Sequence, residues 1–169
     1  MSAAKTKRGG ASKGIELQEA IEFIWLEADL LDSQDYDPWL ALWTAAGHYV
    51  IPIERAGDDH AAQLNIVYDD HTMRAARVRR LRGALSMAAS PSARTTRTVS
   101  RFRRLENAEG CAVIRGAQHL FEYKYDRTRI LAADVTYRLL RSNSGLLLDG
   151  KVVRLINSDE ALFEISYLL

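Results

Sequence analysis

A chain of 169 residues and 19.0 kDa is long enough for one domain and short for two, and on folding it can bury about 70% of its surface without a disulfide or metal staple. Its composition, 47% hydrophobic and 27% charged with ten glycines and three prolines, excludes a collagenous, low-complexity or largely disordered chain. A formal net charge of +1 argues against specialisation for nucleic acid or anionic membranes, and Cys111, the only cysteine, excludes an internal disulfide, a thiolate zinc site and an iron–sulfur cluster.

Residues 1–14 carry Lys5, Lys7, Arg8 and Lys13 among small residues and read as a mobile basic tail, which leaves 15–169 as a single domain. The start lacks the apolar stretch of a signal peptide, and no apolar run approaches the roughly 20 residues of a membrane span, so the cytoplasm is the expected location. From Glu16 onward, Leu17, Ala20, Ile21, Ile24, Ala28 and Leu31 recur at three- and four-residue steps, the repeat of an amphipathic helix. Its acids fall mostly at the start and on the opposite face, where carboxylates suit the positive end of the helix dipole. Asp37-Pro38 reads as an N-cap and first helical residue of a short helix ending at Gly47, followed by a strand over His48–Ile53 and a loop at Gly57-Asp58-Asp59.

Asp69-Asp70 reads as a second cap, opening a helix with Met73, Val78, Leu81 and Leu85 on its apolar side and arginines on the other, until Ser90-Pro91-Ser92 breaks it. Strands follow over Thr95–Leu105, Ala112–Tyr125 and Ile130–Leu140, then a pair joined by a tight turn at Asp149-Gly150. Gly116 and Ala132-Ala133 are the expected places for a bulge. Helices first and long antiparallel strands after them predict an α+β domain, its N-terminal helices packed on one face of a strongly curved, mostly antiparallel sheet with a cone-shaped interior.

The order of the charges says more than their sum. Residues 15–38 hold eight acids and no base, whereas residues 74–104 hold ten arginines and no acid. Three readings of the arginine stripe stay open: a solvated face, a nucleic-acid footprint, and an interface with a protein partner. Phe102 is the only ring among these arginines, which disfavours nucleic acid; the other two readings share one signal.

Chemistry is sparse. The four histidines, His48, His60, His71 and His119, include no i, i+4 pair for a metal, and Asp69-Asp70-His71 reads as capping groups. Glycine-rich phosphate loops and Gly-x-Ser-x-Gly elbows are missing. What remains is acid–base work in the cone, with His48, Asp134 and His119, beside Tyr49 and Tyr137, as candidate catalytic residues of a small stand-alone dehydratase or isomerase. The competing reading is that these side chains are packed and satisfied within a sheet.

Several segments taken together carry a family likeness: Phe23–Asp32 with Trp39-Leu40-Ala41-Leu42, then His48-Tyr49-Val50-Ile51-Pro52, Arg77-Val78-Arg79-Arg80-Leu81, Pro91–Arg97, and Lys151-Val152-Val153-Arg154-Leu155. In order and spacing the chain resembles the small, or β, subunit of bacterial aromatic-ring-hydroxylating dioxygenases. It departs from the family's usual pattern at Ser100-Arg101-Phe102, Arg115-Gly116-Ala117-Gln118 and Leu146-Leu147-Leu148. The resemblance implies a cone-shaped fold of the nuclear-transport-factor-like, or cystatin-like, class. It implies a non-catalytic assembly subunit for aromatic compound catabolism, with no catalytic or metal residue of its own. The Rieske iron–sulfur cluster and mononuclear iron then belong to a partner α subunit, in a complex of three α and three β chains. Arg94, Arg97 and Arg77 are the expected residues of subunit contacts or of the ion pairs behind them.

Overall fold

The computed structural model describes residues 14–54, 56–87, 93–158 and 167–169; the expected tail, apart from Gly14, and the Ser90-Pro91-Ser92 break lie outside them. The first helix, α1, spans Leu17–Asp32 and buries Ala20, Ile24, Ala28 and Leu31 as its spacing predicts. Glu27 is the one acid of α1 buried in the same stripe.

The second helix, α2, is only Tyr36–Ala41, with Asp35 rather than Asp37 at its N-cap position. Pro38 lies in the first turn, where backbone amides lack helical partners and a missing N–H costs nothing. Gly47 does not end this helix, because the chain is already in strand β1, Trp43–Pro52. Trp39, Trp43 and Tyr49 meet edge to face with ring centroids 5.5, 6.2 and 6.4 Å apart, and burying Trp43 in this cluster outweighs its fit to the helical pattern. A strand absent from the sequence reading, β2 (Asn65–Asp69), pairs antiparallel with β1.

Helix α3 spans His71–Met87. Asp70 caps it, its carboxylate accepting the Met73 amide at 2.8 Å, while Asp69 is the last residue of β2 and caps nothing. The expected inner face is rotated: Val78 is buried, Met73 is half exposed, and Arg74 is buried instead. Arg74 lies 4.3 Å from the Trp43 ring and donates to the Gly47 and Thr44 carbonyls, which sit where the β1 register is broken. These bonds engage both terminal nitrogens of a guanidinium that the apolar pattern alone would expel. The side chain of Leu85 lies outside the described set.

Four long strands complete the sheet: β3 (Arg94–Ala108), β4 (Cys111–Lys124), β5 (Arg127–Ser142) and β6 (Gly145–Leu155). They form a meander with turns at Glu109-Gly110, Tyr125-Asp126 and Asn143-Ser144. Asp149-Gly150 is not a turn; Gly150 is interior to β6, facing His48 of β1 on one side and Arg138 of β5 on the other. The strand order is β2-β1-β6-β5-β4-β3, with β1 and β6 parallel and the other neighbours antiparallel. The curved sheet therefore stays open, with β2 and β3 as its edges, rather than closing into a barrel.

Pairing of β4 with β5 runs without interruption through Ala132 and Ala133, so no bulge forms there. The β3–β4 register breaks between Ser100 and Arg103, with Arg101 at φ 52°, opposite Gly116, and again between Arg104 and Glu106. A Cβ on Gly116 would stand 3.2 Å from the Phe102 ring and from the Ser100 carbonyl oxygen. The glycine thus lets the bulged strand fold its phenyl ring onto β4. Gly116→Ala should cost about 1–3 kcal/mol in urea denaturation, the usual range for overpacking; an unchanged midpoint would show that Phe102 can yield.

Candidate functional site

Inside the cone, Glu27 and Lys151 are among the residues that break the apolar pattern of their elements. Glu27 lies on the buried stripe of α1, and Lys151 occupies an inward position of β6 beside Val153 and Leu155. The Lys151 ammonium donates to both Glu27 oxygens at 2.7 and 2.9 Å, and the Trp39 indole donates to Glu27 Oε1 at 2.8 Å. Lys151 also lies 5.6 Å from the centre of the Tyr137 ring. Burial holds the Lys151 ammonium below its ordinary pKa while Glu27 opposes the shift. Burial pushes the Tyr137 phenol well above its ordinary value, and the Glu27 carboxylate adds to this. The Tyr137 hydroxyl has no hydrogen-bond partner among the described residues.

A second node joins α1 to β3. Asp32 accepts the Arg97 side chain Nε at 2.9 Å, the Arg97 backbone amide at 2.8 Å and the Thr95 hydroxyl at 2.9 Å. Residues 167–169 return over this node. Arg97 donates to the Leu168 carbonyl at 3.2 Å, the Leu169 amide donates to the Tyr49 hydroxyl at 2.9 Å, and the Tyr167 hydroxyl donates to Glu122, which Arg129 also holds. Burial raises the Tyr49 and Tyr167 phenols, so both stay protonated and able to donate.

The three arginines singled out from the sequence have different surroundings. The Arg97 side chain is fully buried on Asp32. Arg77 grips the Asp69 carboxylate through two nitrogens, locking α3 onto the end of β2. Arg94 is exposed, its guanidinium 4.8 Å from the Tyr123 ring.

The candidate catalytic residues are not gathered in the cone. His48 is half-buried, its ring centroid 5.1 Å from that of Tyr68. Asp134 and His119 both belong to the outer face of the sheet; Asp134 accepts Arg115 at 3.1 Å with Arg101 at 3.9 Å, and His119 is exposed. Tyr49 and Tyr137 do point into the core, but the titratable groups within hydrogen-bonding reach there are Glu27 and Lys151, which the sequence reading missed. Their signal was present: one charge on each of two apolar repeats. Cys111 is half-buried, and among the described residues no three His, Cys, Asp or Glu side chains gather as a metal site.

The family described as ring hydroxylating beta subunit matches residues 26–159. The chain belongs to that family. The small subunit of 2-halobenzoate 1,2-dioxygenase from Burkholderia cepacia is 30% identical over 141 residues, covering 80% of this chain and 86% of that one. The β subunit of benzoate 1,2-dioxygenase from Burkholderia mallei superposes with a TM-score of 0.79 at 24% identity, covering 92% of this chain and 99% of its own. A protein of nuclear-transport-factor-like class with a cystatin-like fold, from Novosphingobium aromaticivorans, superposes with a TM-score of 0.58 at 15% identity, covering 83% and 81%. The fold class expected from the order of elements is the one found. A stand-alone dehydratase or isomerase is not favoured, since the family is one of dioxygenase subunits and its candidate residues face different surroundings.

Two outcomes test the interior and its rim. Lys151→Met leaves a buried carboxylate without its cation and should cost about 3–5 kcal/mol of stability. The double variant Glu27→Gln with Lys151→Met should cost less than that single change, and additivity of the two would refute the coupling. His60, beside Arg154, has its pKa lowered by burial and then by that cation. An unfolded histidine takes up its proton near pH 6.5. The folded value is lower, so stability present above about pH 6.5 declines as pH falls below it, until His60 itself is protonated. His60→Gln should flatten this part of the stability profile.

Proposed function

We propose that residues 15–169 act as one structural, assembly domain within an aromatic-ring-hydroxylating dioxygenase, working in the cytoplasm on aromatic compound catabolism. A partner α subunit carries the Rieske cluster and the mononuclear iron, and three copies of each chain make the complex. The family match over most of the chain carries this reading. The interior supports it, because Glu27, Lys151, Asp32 and Arg97 bind one another and the backbone instead of presenting an acid–base pair to a substrate. No described helix is long and apolar enough to cross a membrane.

Within that role the arginines divide. Arg94 is exposed and suited to a subunit contact, whereas Arg97 and Arg77 form the ion pairs that hold the contact surface in shape. Purified alone, the chain should contain less than about 0.1 iron per chain and should copurify with its α subunit when the two are coexpressed. Stoichiometric iron in the isolated chain, or failure to copurify, would overturn the proposal. Arg94→Ala should weaken assembly in sedimentation velocity without changing the thermal midpoint.

A further inference from the structure

Arg103 of β3 and Arg115 of β4 are direct register partners, so their side chains leave the same face of the sheet side by side. Like charges placed that way repel and weaken the strand pair unless an anion lies near both. The β3 bulge adds a third cation, since Arg101, at φ 52°, lines the same cleft as these two.

That cleft has a volume of about 430 Å³, enough for a small molecule, with Phe102 and Ala117 as its apolar part. Asp134 is its only carboxylate among the described residues, accepting Arg115 at 3.1 Å and standing 3.9 Å from Arg101. Arg103 pairs with no carboxylate among the described residues. Three guanidiniums against one carboxylate leave two positive charges. The adjoining cleft of about 330 Å³ has no such surplus: there Arg115 and Arg154 face Asp58 and Asp134, and Arg154 already donates to Asp58 at 2.8 Å.

A surplus of two charges spread over three guanidiniums suits a compact dianion with several acceptor oxygens. A phosphate group carries about −1.5 to −2 charge near pH 7 and three strong acceptors, which guanidinium forks bind in pairs. A carboxylate cancels one charge and fills one fork. We propose that the cleft at the β3 bulge is a binding site for the phosphate group of a small molecule, held by Arg101, Arg103 and Arg115. The group arrives either as free phosphate or as a monoester whose apolar part lies against Phe102. Because the arginines are exposed, binding is strongest at low ionic strength. The site does not depend on the assembly role proposed above.

The test is isothermal titration of the full chain at low salt with inorganic phosphate and, separately, phenyl phosphate, with circular dichroism to check folding. Arg101→Gln with Arg103→Gln should weaken phosphate binding about tenfold, through loss of charge-assisted bonds. Asp134→Asn removes the competing carboxylate and should tighten binding about threefold. Arg80→Gln, which removes one exposed cation from α3, should leave the affinity unchanged. Tighter binding of phenyl phosphate than of the free ion assigns the site to an organic phosphate, and equal or weaker binding assigns it to inorganic phosphate. No saturable heat with either probe, an unchanged affinity in the folded double variant, or an equal loss in Arg80→Gln would overturn the proposal. Those results leave the assembly reading untouched, since copurification with the α subunit tests it separately.

Discussion

The buried Lys151–Glu27 pair fixes how the helical layer meets the sheet. Two charges inside a protein are tolerated only when each is satisfied, and here the ammonium meets both carboxylate oxygens while the Trp39 indole adds a third donor. That requirement sets the depth and rotation of α1 on β6, and through Trp39 it places α2 as well. About 7 Å further along the same helix, Asp32 repeats the device toward the opposite edge of the sheet, binding Arg97 and Thr95 of β3. One helix is thus pinned at two points on different strands. The segment 167–169 lies against the second of them and against Tyr49.

What the sequence revealed, and what it hid, follows from the range of each interaction. The α1 repeat and the long C-terminal strands are local patterns, and the helices-then-sheet order carried the fold class. Gly47 and Asp149-Gly150 misled because their local chemistry suits a helix end and a hairpin, whereas both segments form part of the parallel β1–β6 pairing, a contact across some hundred residues. Arg74 was assigned to the solvent side since no local rule reports carbonyls left exposed by a register break on another strand. Glu27 and Lys151 were visible one at a time as charges in apolar repeats, and only the fold shows that they neutralise each other.

The segregated charges are used in two ways. Asp32 with Arg97 and Asp37 with Arg82 join the acidic and arginine-rich blocks within the chain. Other members of both blocks remain on the surface, carboxylates on the outside of α1 and guanidiniums around the β3 bulge. Two of the segments that depart from the usual family pattern, Ser100-Arg101-Phe102 and Arg115-Gly116-Ala117-Gln118, face each other across that bulge. At the bulge Gly116 admits the Phe102 ring, and Arg101 and Arg103 are exposed.

Strand β3 lies at an open edge of the sheet, where unpaired amides and carbonyls ordinarily invite another strand. Here the outward groups near its middle are already engaged, the Arg97 amide by Asp32 and the Val99 carbonyl by the Trp25 indole, and the bulge breaks the regular spacing just beyond. A neighbouring strand cannot pair with this stretch of β3 without first displacing a helix. Copies held close together in a large complex, or crowded during synthesis, are in this way kept from adding a strand along the middle of β3.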